Sequence, residues 1–132
     1  MAITWKYKTD VSDISVFEEI KQKYGISVPD ELKEFILKTN AATPSRYNFM
    51  VGNNERVLGA VLSFNHGEVD TDSVFTALDV MDNKKLMPFG VDPFGNYICY
   101  LLESKMIVFW DHETGRYEAT GITLTTFEES LY

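Results

Sequence analysis

The chain is poor in cysteine, in positive charge and in long apolar runs. Cys99 is the only cysteine among 132 residues, so no disulfide closes within the chain and zinc sites built on cysteine clusters are excluded. No stretch approaches the roughly 18 consecutive apolar residues that a membrane helix requires. The opening MAITWKYKTDVSD has no apolar core of the kind a secretory signal carries. These absences lead us to expect a cytoplasmic protein. Basic residues are scarce as well: 12 Lys and Arg stand against 20 Asp and Glu, a formal net charge of -8. A nucleic-acid binder needs a basic face to neutralise phosphates, and an anionic membrane surface draws the same residues. Neither partner is expected. A cationic protein partner is permitted, drawn in by long-range attraction; acidity that serves solubility alone is the competing explanation.

Apolar residues make up 45% of the chain and aromatics 14%, enough for a real core. No repeat, low-complexity tract or Gly/Ser linker interrupts them, so one domain over residues 1–132 is expected. A first helix is expected over Ser15–Tyr24, with Ser15 and Glu18 as a capping box, Phe17, Ile20 and Tyr24 on one face, and Gly25 as its stop. A second begins near Pro29, with Asp30 and Glu31 at its positive end, Lys38 at its negative end and a stripe of Leu32, Phe35 and Ile36. The period then shifts to two. Tyr47, Phe49 and Val51 read as a strand, and RVLGAVLSF (56–64) as one buried on both faces. Ser73 suits the cap of a short helix, and Pro88 makes Leu86–Val91 look like an edge or a strand end. Strands at Tyr97–Leu102, Met106–Trp110 and Tyr117–Ala119 follow, then a helix from Thr125 or Thr126 that buries Phe127 and Leu131. Helices at both ends of a run of antiparallel hairpins make an α+β domain.

Two segments go beyond fold class. ISVPDELKEFILKTNAATP pairs a Pro-initiated helix with a small-residue turn. LMPFGVDPFGNYICYLL is followed, after a short turn, by IVFWDHE. In this order and spacing they resemble the SUKH superfamily, which contains bacterial immunity proteins and fungal regulators of cell-wall synthesis. The resemblance runs from about Ile14 to Leu131. One departure is the turn NAATP, where many relatives carry two consecutive glycines; another is the end at Tyr132, which leaves a shorter last helix than usual. The resemblance implies a cytoplasmic antidote that binds and blocks the toxin domain of a polymorphic toxin, often a nuclease or a nucleic-acid deaminase. The fungal branch implies a non-catalytic adaptor instead. Neither implies catalysis or a cofactor.

Individual residues sharpen these expectations. Asp92, Pro93, Gly95 and Asn96 sit where a turn demands them: Pro93 pre-sets φ, Gly95 takes a positive φ, and Asp92 bonds the backbone two residues on. Asp111, His112 and Glu113 suggest a rival reading as a small metal-dependent hydrolase. Strand alternation leaves only Asp111 and Glu113 on one side, however, and His66 is the only other nitrogen ligand at hand. Cys99, within YICYLL, has no basic neighbour to activate it. No catalytic, cofactor or metal residue is therefore expected. For partner binding, two acidic sets stand out: Glu68, Asp70 and Asp72 in one loop, and Asp111, Glu113 and Glu118 around the last hairpin. Trp5 and Tyr7 either cover the end of the sheet or serve as aromatic anchors. No residue pattern indicates a homo-oligomer.

Overall fold

The computed structural model describes residues 3–68 and 72–132. α1 (Val16–Tyr24) buries Val16, Phe17 and Ile20, and Gly25 behind it takes a left-handed φ of 73° that lets its N–H close on the Lys21 carbonyl. The Ser15–Glu18 capping box does not form, because Ser15 is itself helical and caps nothing. Asp13 does the work two residues earlier. Its Oδ1 accepts from the Ser15 N–H at 2.9 Å, and its carbonyl accepts from Val16 at 3.1 Å. A carboxylate suits the positive end of the helix better than a hydroxyl, and the bonds from Ser15 hold the Asp13 pKa below its ordinary value. α2 (Asp30–Thr39) follows Pro29 directly and buries Leu32, Phe35 and Ile36. Just past its end Ala41 turns to a φ of 61°.

The strands form three antiparallel groups. β1 (Trp5–Lys6) pairs with β2 (Thr43–Pro44), and β3 (Asn48–Val51) with β4 (Asn54–Val57). β5 (Ala60–Val61), β6 (Leu86–Val91), β7 (Tyr97–Leu101), β8 (Met106–Trp110) and β9 (Tyr117–Thr123) lie side by side in chain order. α3 (Val74–Met81) bridges β5 and β6, with the Ser73 hydroxyl accepting from the Phe75 N–H at 3.1 Å. α4 (Leu124–Ser130) follows β9 and starts ahead of the two threonines expected to open it. The architecture is α+β, an antiparallel sheet flanked by N-terminal helices and a short C-terminal one.

Three strands depart from expectation. The apolar run 56–64 is divided, not continuous. The Leu58 N–H still reaches the Tyr47 carbonyl at 2.7 Å, while the Gly59 N–H reaches the Val91 carbonyl at 2.8 Å. The chain thus passes from the hairpin to the main sheet within two residues. A Cβ at Gly59 would stand 3.2 Å from the Val91 oxygen, so glycine permits the close approach. β6 is interior despite Pro88. The proline is accommodated because β5 covers only Gly90 and Val91, and the register with β7 slips between Pro88 and Gly90. β9 runs past Ala119 to Thr123, helped by the Thr120 hydroxyl donating to the Ile107 carbonyl at 2.6 Å.

A ladder of rings joins the layers. Phe89 of β6 meets Phe35 of α2 edge-on at 5.7 Å and Phe127 of α4 at 6.2 Å; Phe127 in turn meets Phe49 of β3 at 5.1 Å. One buried amide secures the N-terminal arm. Asn40 Oδ1 accepts from the Phe64 N–H at 2.7 Å, and Nδ2 donates to the Thr9 carbonyl and hydroxyl.

Candidate functional site

A groove of about 350 Å³ opens where β4, the β6–β7 turn and the turn after β8 meet. Its walls are built by hydrogen bonding that leaves few degrees of freedom. Asp92, only 7% exposed, accepts at Oδ1 from the N–H groups of Phe94 (2.9 Å) and Asn96 (2.8 Å), and at Oδ2 from Asn96 Nδ2 (2.9 Å). Gly95 takes a φ of 86°. Because Asn96 Nδ2 donates to Asp92, its Oδ1 is the acceptor on the other side. There it receives the His112 N–H at 3.0 Å and lies 2.7 Å from His112 Nδ1, which places the imidazole proton on Nδ1. The two turns are thereby welded together. Asp111 holds the second turn with Oδ1, which accepts from the Glu113 N–H at 2.8 Å.

The third wall is β4. Glu55 accepts from the Tyr132 hydroxyl at 2.7 Å, a bond that raises the Tyr132 pKa. The Arg56 guanidinium lies over the Phe109 ring, 4.6 Å from its centroid. It makes no ion pair among the described residues, and its Nε is buried without an acceptor. Phe94, 72% exposed, stands on the rim.

The residues singled out from sequence do not all gather here. Asp92, Asn96, Asp111, His112 and Glu113 line the groove. Glu118 sits across from Phe109 on β9 and so shares that face of the sheet, outside the groove proper. The other acidic set lies apart from it. Glu68 accepts from Thr9, Ser63 and Asn65 and ties its loop inward, Asp72 is exposed, and Asp70 lies outside the described residues. The aromatic pair separates: Trp5 packs edge-on to Phe35 at 5.6 Å with its indole N–H on Glu128, whereas Tyr7 is 81% exposed at a φ of 64°. Cys99 is fully buried, which pushes its thiol pKa well up. Among the described residues no group of three or more His, Cys, Asp and Glu could hold a metal ion, and no helix is long and apolar enough to cross a membrane.

A profile of the SMI1 / KNR4 family (SUKH-1) matches residues 12–130. The chain belongs to the SUKH superfamily. No curated protein matches it significantly. In this SUKH chain the segments LMPFGVDPFGNYICYLL and IVFWDHE supply two of the three walls. The third wall escaped the sequence reading. Glu55 and Arg56 sit beside an apolar run that hides the break at Gly59, and Phe94 resembles any core phenylalanine until the turn turns it outward. The one signal available was Arg56 itself, a lone charge at the head of that run.

Proposed function

We propose that this SUKH protein is an immunity protein that binds the toxin domain of a polymorphic toxin and blocks it by occlusion, with no catalysis of its own. Family membership supports a protein-binding role of the immunity or the regulator kind. The observation that carries the finer reading is the groove: carboxylates of Glu55, Asp111 and Glu113 beside an exposed Phe94, on a chain of net charge -8. A toxin that acts on nucleic acid needs a basic surface, and such a surface is the complement of this one. The protein then acts in the cytoplasm as one domain. Asp111, Glu113 and Glu118 guide the encounter, while Glu68, being internally bonded, contributes less than Asp72 beside it.

The family match covers the regulator branch equally. In that reading the partner is a cell-wall regulatory protein and no toxin is involved. A basic toxin-like reading frame beside this gene, whose product is lethal alone and harmless when co-expressed with this chain, would decide for immunity. With that pair in hand, stopped-flow association should slow steeply between about 50 and 500 mM salt, since exposed charges are screened beyond about 8–10 Å near physiological ionic strength. Asp111→Asn with Glu113→Gln and Glu118→Gln should slow association further, and dissociation should change far less with salt. A salt-independent association rate, unchanged in this variant, would reject the acidic docking face.

A further inference from the structure

Most strand edges of the described fold are closed or broken. β1 is two residues long and ends where Tyr7, between Lys6 and Lys8, turns to a φ of 64°. The outer side of β3 is sealed by Tyr132, which exchanges two main-chain hydrogen bonds with Asn48, each 3.0 Å. β5 is covered by the Ala42 carbonyl, which accepts from the Val61 N–H at 2.9 Å. β4 is four residues long and carries Glu55 and Arg56. Shortness, charge and kinks are the ordinary guards of a strand edge. β9 has fewer of them. It runs for seven residues at the end of the five-stranded sheet, without proline or lysine, and Tyr117, Glu118, Ala119, Gly121 and Thr123 are exposed. The Arg116 carbonyl accepts from the Asp111 N–H and so faces β8. By alternation the main-chain groups of Tyr117 and Ala119 face away from β8, and among the described residues no main-chain hydrogen bond reaches them from elsewhere.

We infer that β9 is a contact surface for a second copy of this chain, the two strands pairing antiparallel about a two-fold axis at Ala119. Ala119 then exchanges both hydrogen bonds with its counterpart, Glu118 stands opposite Thr120 of the second copy, and the Tyr117 ring covers the bare Gly121. Neighbouring registers are worse. An axis at Glu118 sets two carboxylates face to face. An axis at Tyr117 needs Gly115, whose φ of 70° is not extended, and one at Thr120 brings Gly121, at 80°, into the middle of the ladder. A second copy fits this edge better than a cationic partner does, because the edge itself is nearly neutral: Glu118 is the only charge within 117–123, and Arg116 directly precedes it. Elsewhere the copies repel, since each carries -8, so the dimer is weak at low salt and strengthens as the charges are screened. So short a ladder buries less than the roughly 1,200 Å² at which stable complexes begin, which also makes it a weak dimer. The inference stands apart from toxin binding, whose association salt should slow.

The test is sedimentation equilibrium of the full chain from about 10 µM to about 1 mM, at about 50 and 500 mM sodium chloride. A monomer–dimer equilibrium should appear and tighten several-fold with salt. Ala119→Lys, at an exposed position, sets two like charges on the axis and should remove the dimer. Ala119→Pro, which deletes an N–H that β8 does not use, should remove it too. Far-UV circular dichroism shows whether each variant is folded, and the lysine variant suffices if the proline one is not. Ala119→Cys should link two copies under a mild oxidant, because the Cα atoms of a hydrogen-bonded antiparallel pair stand about 5.5 Å apart, within a disulfide's reach. Cys99 is buried, and Asn53→Cys, on the exposed β3–β4 turn, should link far more slowly. A chain still monomeric at the highest concentration and salt, a dimer that the folded Ala119 variants leave intact, or growth beyond the dimer would each overturn the inference. So would a chain that is monomeric alone but whose Ala119→Pro variant loses a cognate protein partner, since the edge would then belong to a strand of that partner.

Discussion

At Gly95 the obstacle to any other residue is the backbone alone. The nearest atom to a Cβ built there is His112 Nδ1 at 3.9 Å, ordinary contact, while φ is 86°. Gly95→Val should therefore cost about 1–3 kcal/mol, since a β-branched residue is strained at positive φ. Gly95→Asn should cost less, because asparagine tolerates left-handed backbone. Urea denaturation midpoints check both, and a valine variant as stable as the wild type would contradict this account of the turn. Ala41 shows the opposite choice. It holds a φ of 61° in the turn after α2, a conformation that favours glycine, and keeps its methyl buried at 6% exposure. Asn40 beside it, with its bonds to Phe64 and Thr9, explains why the chain must make so tight a turn there.

Two tyrosines fasten helices to their neighbours. The Tyr24 hydroxyl at the end of α1 donates to Asp79 of α3 at 2.7 Å, and that of Tyr100 on β7 donates to Glu31 of α2 at 2.6 Å. Burial, aided by the carboxylate each one meets, pushes Tyr24 up to about 12 and raises Tyr100 as well. The unfolded chain releases these protons near pH 10, so the folded state holds them more tightly. Their contribution to stability is complete below about pH 10 and is lost as pH rises through 10 towards 12. Melting temperatures from pH 9 to 12 should fall across that window, and Tyr24→Phe with Tyr100→Phe should flatten the fall. Absorbance titration should show two fewer phenols ionising late. An equally steep fall in the double variant would assign the alkaline loss to other groups.

Across the whole molecule, the charge of -8 is poorly compensated. The described ion pairs, Lys8–Asp10 and Lys33–Asp30, lie at the surface, as does the His66–Glu19 contact, and surface pairs contribute little. Self-repulsion of the compact state should then be relieved by salt, so the melting temperature should rise by about 2–5 °C between roughly 10 and 150 mM sodium chloride. A flat response would mean that the acids are spread too widely to repel. The sequence by itself determined the elements whose signals are local: α1 and α2 from their apolar stripes and end charges, β7 and β8 from uninterrupted apolar runs, and the Asp92–Asn96 turn from residue types that suit few other conformations. Composition and motif order also pointed to the family. Only the tertiary structure decided where an apolar run changes sheets at Gly59, how Pro88 fits an interior strand, and which acids remain free. Each of these depends on a partner remote in the chain. The Val91 carbonyl draws in Gly59, the shortness of β5 spares Pro88, and Thr9, Ser63 and Asn65 consume Glu68. The groove arises in the same way, because Arg56, Phe94 and Asp111 meet only after three separate turns have closed.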